Sequence, residues 1–263
     1  MHRFVCLLTA KALFIAALMA SFSHADDNSL LIVRGNEDYP PDEVVVDGQL
    51  SGFHIELINA VAAQINQPVE FQSVPWSRAL KMIRYGKADA ITYISKNSER
   101  SHYVDFLPGN IISHSVHYLL ANKDNFYARH YQGDFTELKG AIIGVQRGYS
   151  YGETFDTSDQ VEKLVISRVD QMLALLSNCR IDMAVLSMAE YQELKHADGF
   201  KDLILLPTPL SSRPNYLGFG KSPEQHQQAE RFAAAMKKFK QTQAYQQLLK
   251  KYHKQPVTIP AAD

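Results

Sequence analysis

Apolar and polar positions follow two rhythms along this chain: short apolar runs, and longer stretches with a helical stripe. Leu30 to Arg34 (LLIVR) is short enough to be a buried strand. Val44-Val45-Val46, Asp47-Gly48 and Gln49-Leu50 read as a strand, a turn and its return. Phe53 to Asn66 carries Leu57, Ile58, Val61 and Ile65 on one helical stripe, and Val69 to Val74 returns as a strand. Pro75 to Tyr85 predicts a helix with Leu80, Ile83 and Tyr85 on one face, and Gly86 is the left-handed residue that ends it. Ala90, Ile91, Tyr93 and Ile94 then form an interior strand. A second series runs through Ala141–Val145, Val165-Ile166, a helix over Asp170–Ser177, and strands at Ile181–Leu186 and Leu203–Leu206. Pro223 to Tyr252 is largely helical, with Phe232, Met236 and Phe239 on one face. This alternation predicts an α/β chain with parallel sheets covered by helices.

One segment repeats quietly. Leu80–Ile91 (LKMIRYGKADAI) superposes without gaps on Leu173–Ala184 (LALLSNCRIDMA), pairing Gly86 with Cys179, Lys87 with Arg180 and Asp89 with Asp182. Either helix–turn–strand units simply look alike, or the chain holds two lobes of like architecture.

The amino terminus changes the picture of where the chain works. Arg3 and Lys11 precede an apolar core from Ala12 to Ala20, and Ser23-His24-Ala25 is a small-x-small site. This reads as a secretory signal, residues 1–25, cleaved after Ala25. The core is too short to span a bilayer, and no later run approaches that length, so the exported chain is not expected to be membrane-inserted. Cleavage removes Cys6 and leaves Cys179 alone, so packing must stabilise the fold without an internal disulfide. Near-neutral charge (27 basic against 28 acidic residues) and the lack of a basic stripe argue against nucleic acid as partner.

Candidate chemistry concentrates after the strand at Ala90. Ser98-Glu99-Arg100 reads as a capping residue and a guanidinium in the first turn of a second helix, a combination that suits a carboxylate or phosphate. Taken alone, Arg100 reads rather as a surface arginine paired with Glu99 or Asp105, worth a kcal/mol or less, since most arginines are solvated. The full stretch PWSRALKMIRYGKADAITYISKNSERSHYVDF decides more than the single residue. With its aromatic, helix, "GK.DAI", strand and "T.ER...VDF", it resembles the signature of the bacterial extracellular solute-binding proteins of family 3, the polar amino-acid receptors of ABC uptake systems.

The resemblance spans almost the whole exported chain and implies a two-lobed periplasmic-binding-protein-like fold of type II. Mixed, mostly parallel sheets would be flanked by helices, and the chain would cross between lobes twice, near Ser113–Leu119 and Thr208–Arg213. Lobe 1 would hold residues 26–115 and 212–263, and lobe 2 residues 116–211. It also implies site residues. Arg100 matches the clamp on a ligand carboxylate, and Ser95 the hydroxyl residue that helps hold it. Tyr39 and Trp76 match two aromatic positions that sandwich a ligand side chain, useful because flat faces bury an organic solute and favour a nearby cation. Asn36 and Glu37, with Asp38, crown the same loop, where one can meet a cationic group. Gly148-Tyr149-Ser150 corresponds to a "GTT" turn at a helix start, with Ser150 reaching the carboxylate. One departure stands out: the family's ammonium-pairing aspartate falls on Ser187. A serine cannot offset a buried ammonium as a carboxylate can. The ligand then lacks a primary α-ammonium, or Glu37, Asp38, Glu153 or Glu190 substitutes.

The function implied is a periplasmic, monomeric protein that captures a small carboxylate-bearing solute by hinge closure and delivers it to an inner-membrane ABC permease. No cofactor, metal or catalysis is expected. Two rivals remain open: an exported enzyme on the same fold, resembling cyclohexadienyl dehydratases, and a ligand-sensing subunit for a membrane receptor. Other enzymatic motifs are missing. GFGKS at Gly218–Ser222 lacks the first glycine of a phosphate-binding loop, since position 215 is Asn215. His114 and His117, spaced as HxxH, point to opposite faces if they lie on a strand.

Overall fold

The apolar run Leu30–Gly35 forms strand β1, followed by the hairpin β2 (Val44–Val46) and β3 (Gln49–Ser51). Helix α1 (Phe53–Gln64) buries Phe53, Leu57, Ile58 and Val61, the stripe read from the sequence. Strand β4 (Val69–Val74), helix α2 (Trp76–Arg84) and strand β5 (Ala90–Ser95) complete the first series. Helix α2 stops where Gly86 takes a φ of 64°. Tyr85 does not join the buried face: it is the residue that ends the helix, and it is 70% exposed. This computed structural model describes residues 29–196 and 200–256; the export signal read at residues 1–25 lies outside them.

Strand β6 (Val104–Asp105) leads to β7 (Ile111–Asn122), and the short helix α3 (Phe126–His130) opens the second series. It continues through β8 (Ile142–Gln146), the single-turn helix α4 (Glu153–Asp156), β9 (Glu162–Ile166), α5 (Val169–Ser177), β10 (Met183–Ser187) and α6 (Met188–Leu194). Strand β11 then runs from Leu203 to Gly220, far beyond the Leu203–Leu206 expected. Helices α7 (Pro223–Phe239) and α8 (Gln243–Lys251) make up the largely helical tail expected from Pro223 to Tyr252. Between them Thr242 caps α8, its hydroxyl accepting from the Tyr245 amide at 3.3 Å.

Among the described residues the strands join in a nine-stranded sheet of order β4-β1-β5-β11-β7-β10-β8-β9, with β6 beside β11. The outer triplets are parallel, β4-β1-β5 on one side and β10-β8-β9 on the other. The centre differs from the mostly parallel pairing expected. Here β7 and β11 pair antiparallel with each other, β11 with β5, and β7 with β10. Two strands that carry the chain in opposite directions satisfy each other's backbone groups, which merges the halves into one mixed sheet.

The cores separate cleanly into two lobes. Two clusters draw only on residues before Leu119 and after Leu210, including Ile32, Leu57, Phe219 and Phe232 in one and Ile83, Ile91 and Val104 in the other. Two more draw only on residues from Leu119 to Leu210, among them Ile143, Phe155, Val185, Met172 and Leu186. Among the described residues only β7 and β11 contribute to cores on both sides, so they are the hinge strands.

Candidate functional site

The parallel strands of both lobes end at one cleft. Gly35 ends β1 and Asn36 and Glu37 follow it, Trp76 follows β4, Ser95 ends β5, Tyr149 and Ser150 follow β8, and Ser187 ends β10. All line the cleft, as do Tyr39, Arg100 and Glu190, so the eight candidates read from the sequence meet in one place. Carboxyl ends of strands in open α/β sheets are where ligands bind. The hinge strands add Ser115, His117 and Asn215. The lobes stand close together, leaving about 50 Å³ of free volume.

Arg100 is 4% exposed, not a solvated surface arginine. Its Nη1 donates to the Ser95 carbonyl at 2.7 Å and its Nη2 to the Gly148 carbonyl at 2.8 Å. The guanidinium lies 5.7 Å from the Trp76 ring centroid, within cation–π range. Burial lowers its pKa to about 10, with the charge of Arg213 acting in the same direction, so it remains a cation at neutral pH. The helix expected to begin at Ser98 is a single 3-10 turn, Arg100–His102. Asn97, not Ser98, receives the Arg100 amide, at 2.8 Å, while the Ser98 hydroxyl donates to Glu153. A single turn gathers little dipole, so the guanidinium itself must supply the positive charge.

Trp76 Nε1 donates to the same Gly148 carbonyl at 3.0 Å. Gly148 has a φ of +76°, and a Cβ there would stand 3.3 Å from Trp76 Cδ1, so the turn needs glycine. Next to it, the Ser150 hydroxyl donates to Asp156 Oδ2 at 2.5 Å and accepts from Arg213 Nη1 at 2.6 Å. Asp156 Oδ1 takes the Tyr151 amide at 2.9 Å. Helix α4 is one turn long, and its own Asp156 receives the Ser150 hydroxyl and the Tyr151 amide.

Ser187 caps α6. Its hydroxyl accepts from the Glu190 amide at 3.2 Å, and Glu190 Oε2 accepts from the Ser187 amide at 2.7 Å. Gln146 Nε2 donates to Glu190 Oε1 at 2.7 Å. The serine thus fixes a carboxylate one turn further on, and that carboxylate lines the cleft.

Across the cleft, Tyr39 donates its hydroxyl proton to Glu37 Oε2 at 2.7 Å, and its ring meets Tyr93 edge-on at 5.4 Å. Behind these rings lies a buried charged cluster. Glu43 accepts from Arg34 Nε at 2.9 Å and Thr92 Oγ1 at 2.9 Å, and lies 3.2 Å from His54 Nδ1. Burial opposes ionisation of Glu43, but His54, Arg34 and Thr92 outweigh it and hold its pKa below the usual carboxylate value. The network reaches the hinge through His54 Nε2 and Ser113 Oγ, 2.9 Å apart, and Asn215 Nδ2, which donates to Ser113 Oγ at 3.1 Å. Ser95 closes it by donating to Asn215 Oδ1 at 3.3 Å. Among the described residues no group of metal-ligating side chains stands close enough to hold an ion.

Sequence reasoning missed Glu43, Thr92, Tyr93, Tyr149, Ser115, His117 and Asn215, all of which line the cleft. Tyr149 had a signal, lying between the glycine and serine of a recognised turn. The hinge residues had one too, since strands that cross between lobes pass beneath any cleft between them.

Residues 31–255 match the model of the bacterial extracellular solute-binding proteins, family 3. The chain belongs to that family. The arginine-binding extracellular protein ArtP of Bacillus subtilis (strain 168) is 21% identical over 266 residues, covering 96% of this chain and 98% of its own. The ABC transporter arginine-binding protein 1 of Escherichia coli (strain K12) is 27% identical over 176 residues, 65% of this chain and 69% of the relative. The solved structure of an ancestral arginine-binding protein bound to arginine superposes with a TM-score of 0.66 at 20% identity, over 86% of this chain and 98% of the other. As a family 3 solute-binding protein, the chain captures a small amino-acid or carboxylate ligand for ABC transport and works in the periplasmic or extracellular space. It is a transport protein rather than an enzyme, and membership implies a membrane permease as partner.

Proposed function

We propose that the ligand is a cationic amino acid of the arginine class. The carrying observation is the charge balance of the cleft. Arg100 faces two carboxylates, Glu37 and Glu190, while the third, Glu43, is already paired with Arg34. A zwitterion with an additional side-chain cation meets that pattern, carboxylate on Arg100 and two cationic groups on the glutamates. In this reading Arg100 exchanges the Gly148 carbonyl for the ligand carboxylate, aided by Ser95 and Ser150. Glu190 takes the α-ammonium in place of an aspartate at Ser187. Tyr39 and Trp76 flank the side chain, whose cation meets Glu37 and Asn36. The names of the relatives, arginine-binding in both, support the same class.

Residues 26–115 and 212–263 form one lobe and 116–211 the other, closing about β7 and β11. The division of the cores supports these boundaries. The secretory signal at residues 1–25 exports the chain, which acts as a monomer and delivers its ligand to an inner-membrane permease.

Calorimetric titration of the exported protein with L-arginine, L-lysine, L-histidine, L-glutamate and L-leucine tests the reading. Binding of L-arginine or L-lysine is expected, with affinity lost by roughly a hundredfold in Arg100→Ala, the worth of a charged hydrogen-bond pair. Binding of L-glutamate alone, or of none of the five, would overturn it.

A further inference from the structure

Arg213 stands outside the cleft lining, yet its guanidinium touches both lobes. It projects from hinge strand β11, opposite Ser115 of β7. Nη1 donates to Ser150 Oγ in the second lobe at 2.6 Å, and Nη2 donates to the Lys96 carbonyl in the first. Two residues beyond Lys96, the Ser98 hydroxyl donates to Glu153, three residues beyond Ser150. Besides the Arg100–Gly148 bond, the segment after β5 and the turn after β8 are therefore tied at two further points, and of Arg213, Lys96, Ser98, Glu153 and Ser150 only Ser150 lines the cleft. Asp156 and Glu153 attract the Arg213 charge, and Arg100 opposes it. The space between is fitted: a Cβ on Gly152 would rest 3.8 Å from Arg213 Cδ.

We propose that Arg213, with the Ser98–Glu153 pair, is an interlobe latch that sets the balance between open and closed forms. Arg213 is a positioning residue. It binds the Lys96 carbonyl of its own lobe, and reaches and orients Ser150 of the second lobe, already held by Asp156, only when the lobes meet. Part of the free energy of closure then comes from the protein itself rather than from ligand contacts. Removing the latch weakens any ligand by lowering the population of the form that retains it. The proposal rests on hinge closure and is independent of which ligand binds.

The test is the distance between the lobes by pulsed electron spin resonance, with labels at Lys87→Cys and Glu162→Cys in a Cys179→Ser background. Without added solute, Arg213→Met is expected to shift the distribution toward longer distances, and Arg213→Lys, which keeps the charge and one bond, to recover part of the shift. With L-arginine as probe, Arg213→Met is expected to dissociate roughly tenfold faster, the worth of one charged hydrogen bond, with association unchanged. A residue with a merely structural role would lower Tm and leave the distribution as in the parent protein, and that result would overturn the latch. If Arg213→Met does not fold, Arg213→Lys and Ser98→Ala carry the same test, each with a smaller shift. Failure of L-arginine to bind would count against the ligand reading alone, because the solute-free distances still decide the latch.

Discussion

In the first lobe Asp89 Oδ2 accepts the amide of Leu31 at 2.8 Å; in the second, Asp182 Oδ2 accepts the amide of Ile142, also at 2.8 Å. The reverse bonds match as well, Asp89 N to Leu31 O and Asp182 N to Ile142 O, both 2.9 Å. Two residues earlier Lys87 N reaches Met82 O and Arg180 N reaches Leu175 O, both at 2.8 Å. The sheet order reads alike from either edge, with β1 between β4 and β5 and β8 between β9 and β10. The faint sequence echo is thus an architectural repeat. The lobes differ in where they keep charge. The first buries Arg34, Asp42, Glu43 and His54 behind its half of the cleft. In the second, the pairs Lys123–Asp202, Arg129–Asp124 and Arg168–Asp170 are exposed. The lobe that carries Arg100 keeps charge buried behind its half of the cleft, while the other meets it with short polar groups on turns.

The largest expected effect strikes that asymmetry. Glu43→Gln leaves the fully buried Arg34 without its counter-charge and should destabilise the protein by about 3–5 kcal/mol in urea unfolding. The stabilisation is present above the ordinary carboxylate pKa and lost as pH falls through the lowered folded value. Variant and parent should therefore converge in acid. An unchanged midpoint at neutral pH would show that the buried charge does not distinguish the lobes.

Next in size is His117, on the hinge strand between them. Burial, with Arg213 adding to it, lowers its pKa to about 4 from 6.5. The unfolded chain takes up this proton near pH 6.5 and the folded chain only near 4. Stability is complete above 6.5 and falls by roughly 3 kcal/mol as pH drops toward 4. Denaturation of His117→Gln at pH 7 and pH 4.5 should lack most of that slope.

The smallest effect separates the repeat's two helix ends. Gly86 (φ 64°) and Cys179 (φ 52°) hold the same left-handed position, and a Cβ at Gly86 meets open space. Gly86→Ala should cost about 1 kcal/mol and Cys179→Gly should gain up to about 1, since only backbone strain is at stake. Equal and opposite shifts in Tm would confirm that the two ends are equivalent.

Much of this was legible from residue patterns. Alternation and apolar runs located β1, β4, β5 and α1, and Gly86 marked the end of α2, because local sterics and burial dictate those features. Arg100 and its neighbours were legible through a spaced motif. The reach of β7 and β11 was not, because Ser113, His114, Ser115 and His117 in one, and Pro207, Pro209 and Pro214 in the other, break any apolar period. Their strand form comes from pairing with each other. Glu43 and His54 were equally opaque: nothing local marks a loop carboxylate or a helix histidine as buried until Arg34, Thr92 and Ser113 close around them.

The pairing of β7 with β11 also has a mechanical side. Two independent tethers would let the lobes twist, slide and bend separately. A hydrogen-bonded ribbon resists shear within its own plane and yields across it. Its ladder is interrupted on both sides of the crossing, by register shifts between Leu205, Pro209 and Ser211 in the second lobe and between Asn215 and Tyr216 in the first. The regular pairing between them, Ser211–Asn215 against His117–Ser113, marks the crease. Motion of the lobes is thereby reduced to folding about one line, so a membrane partner touching both tips reads a single coordinate, the angle of the fold.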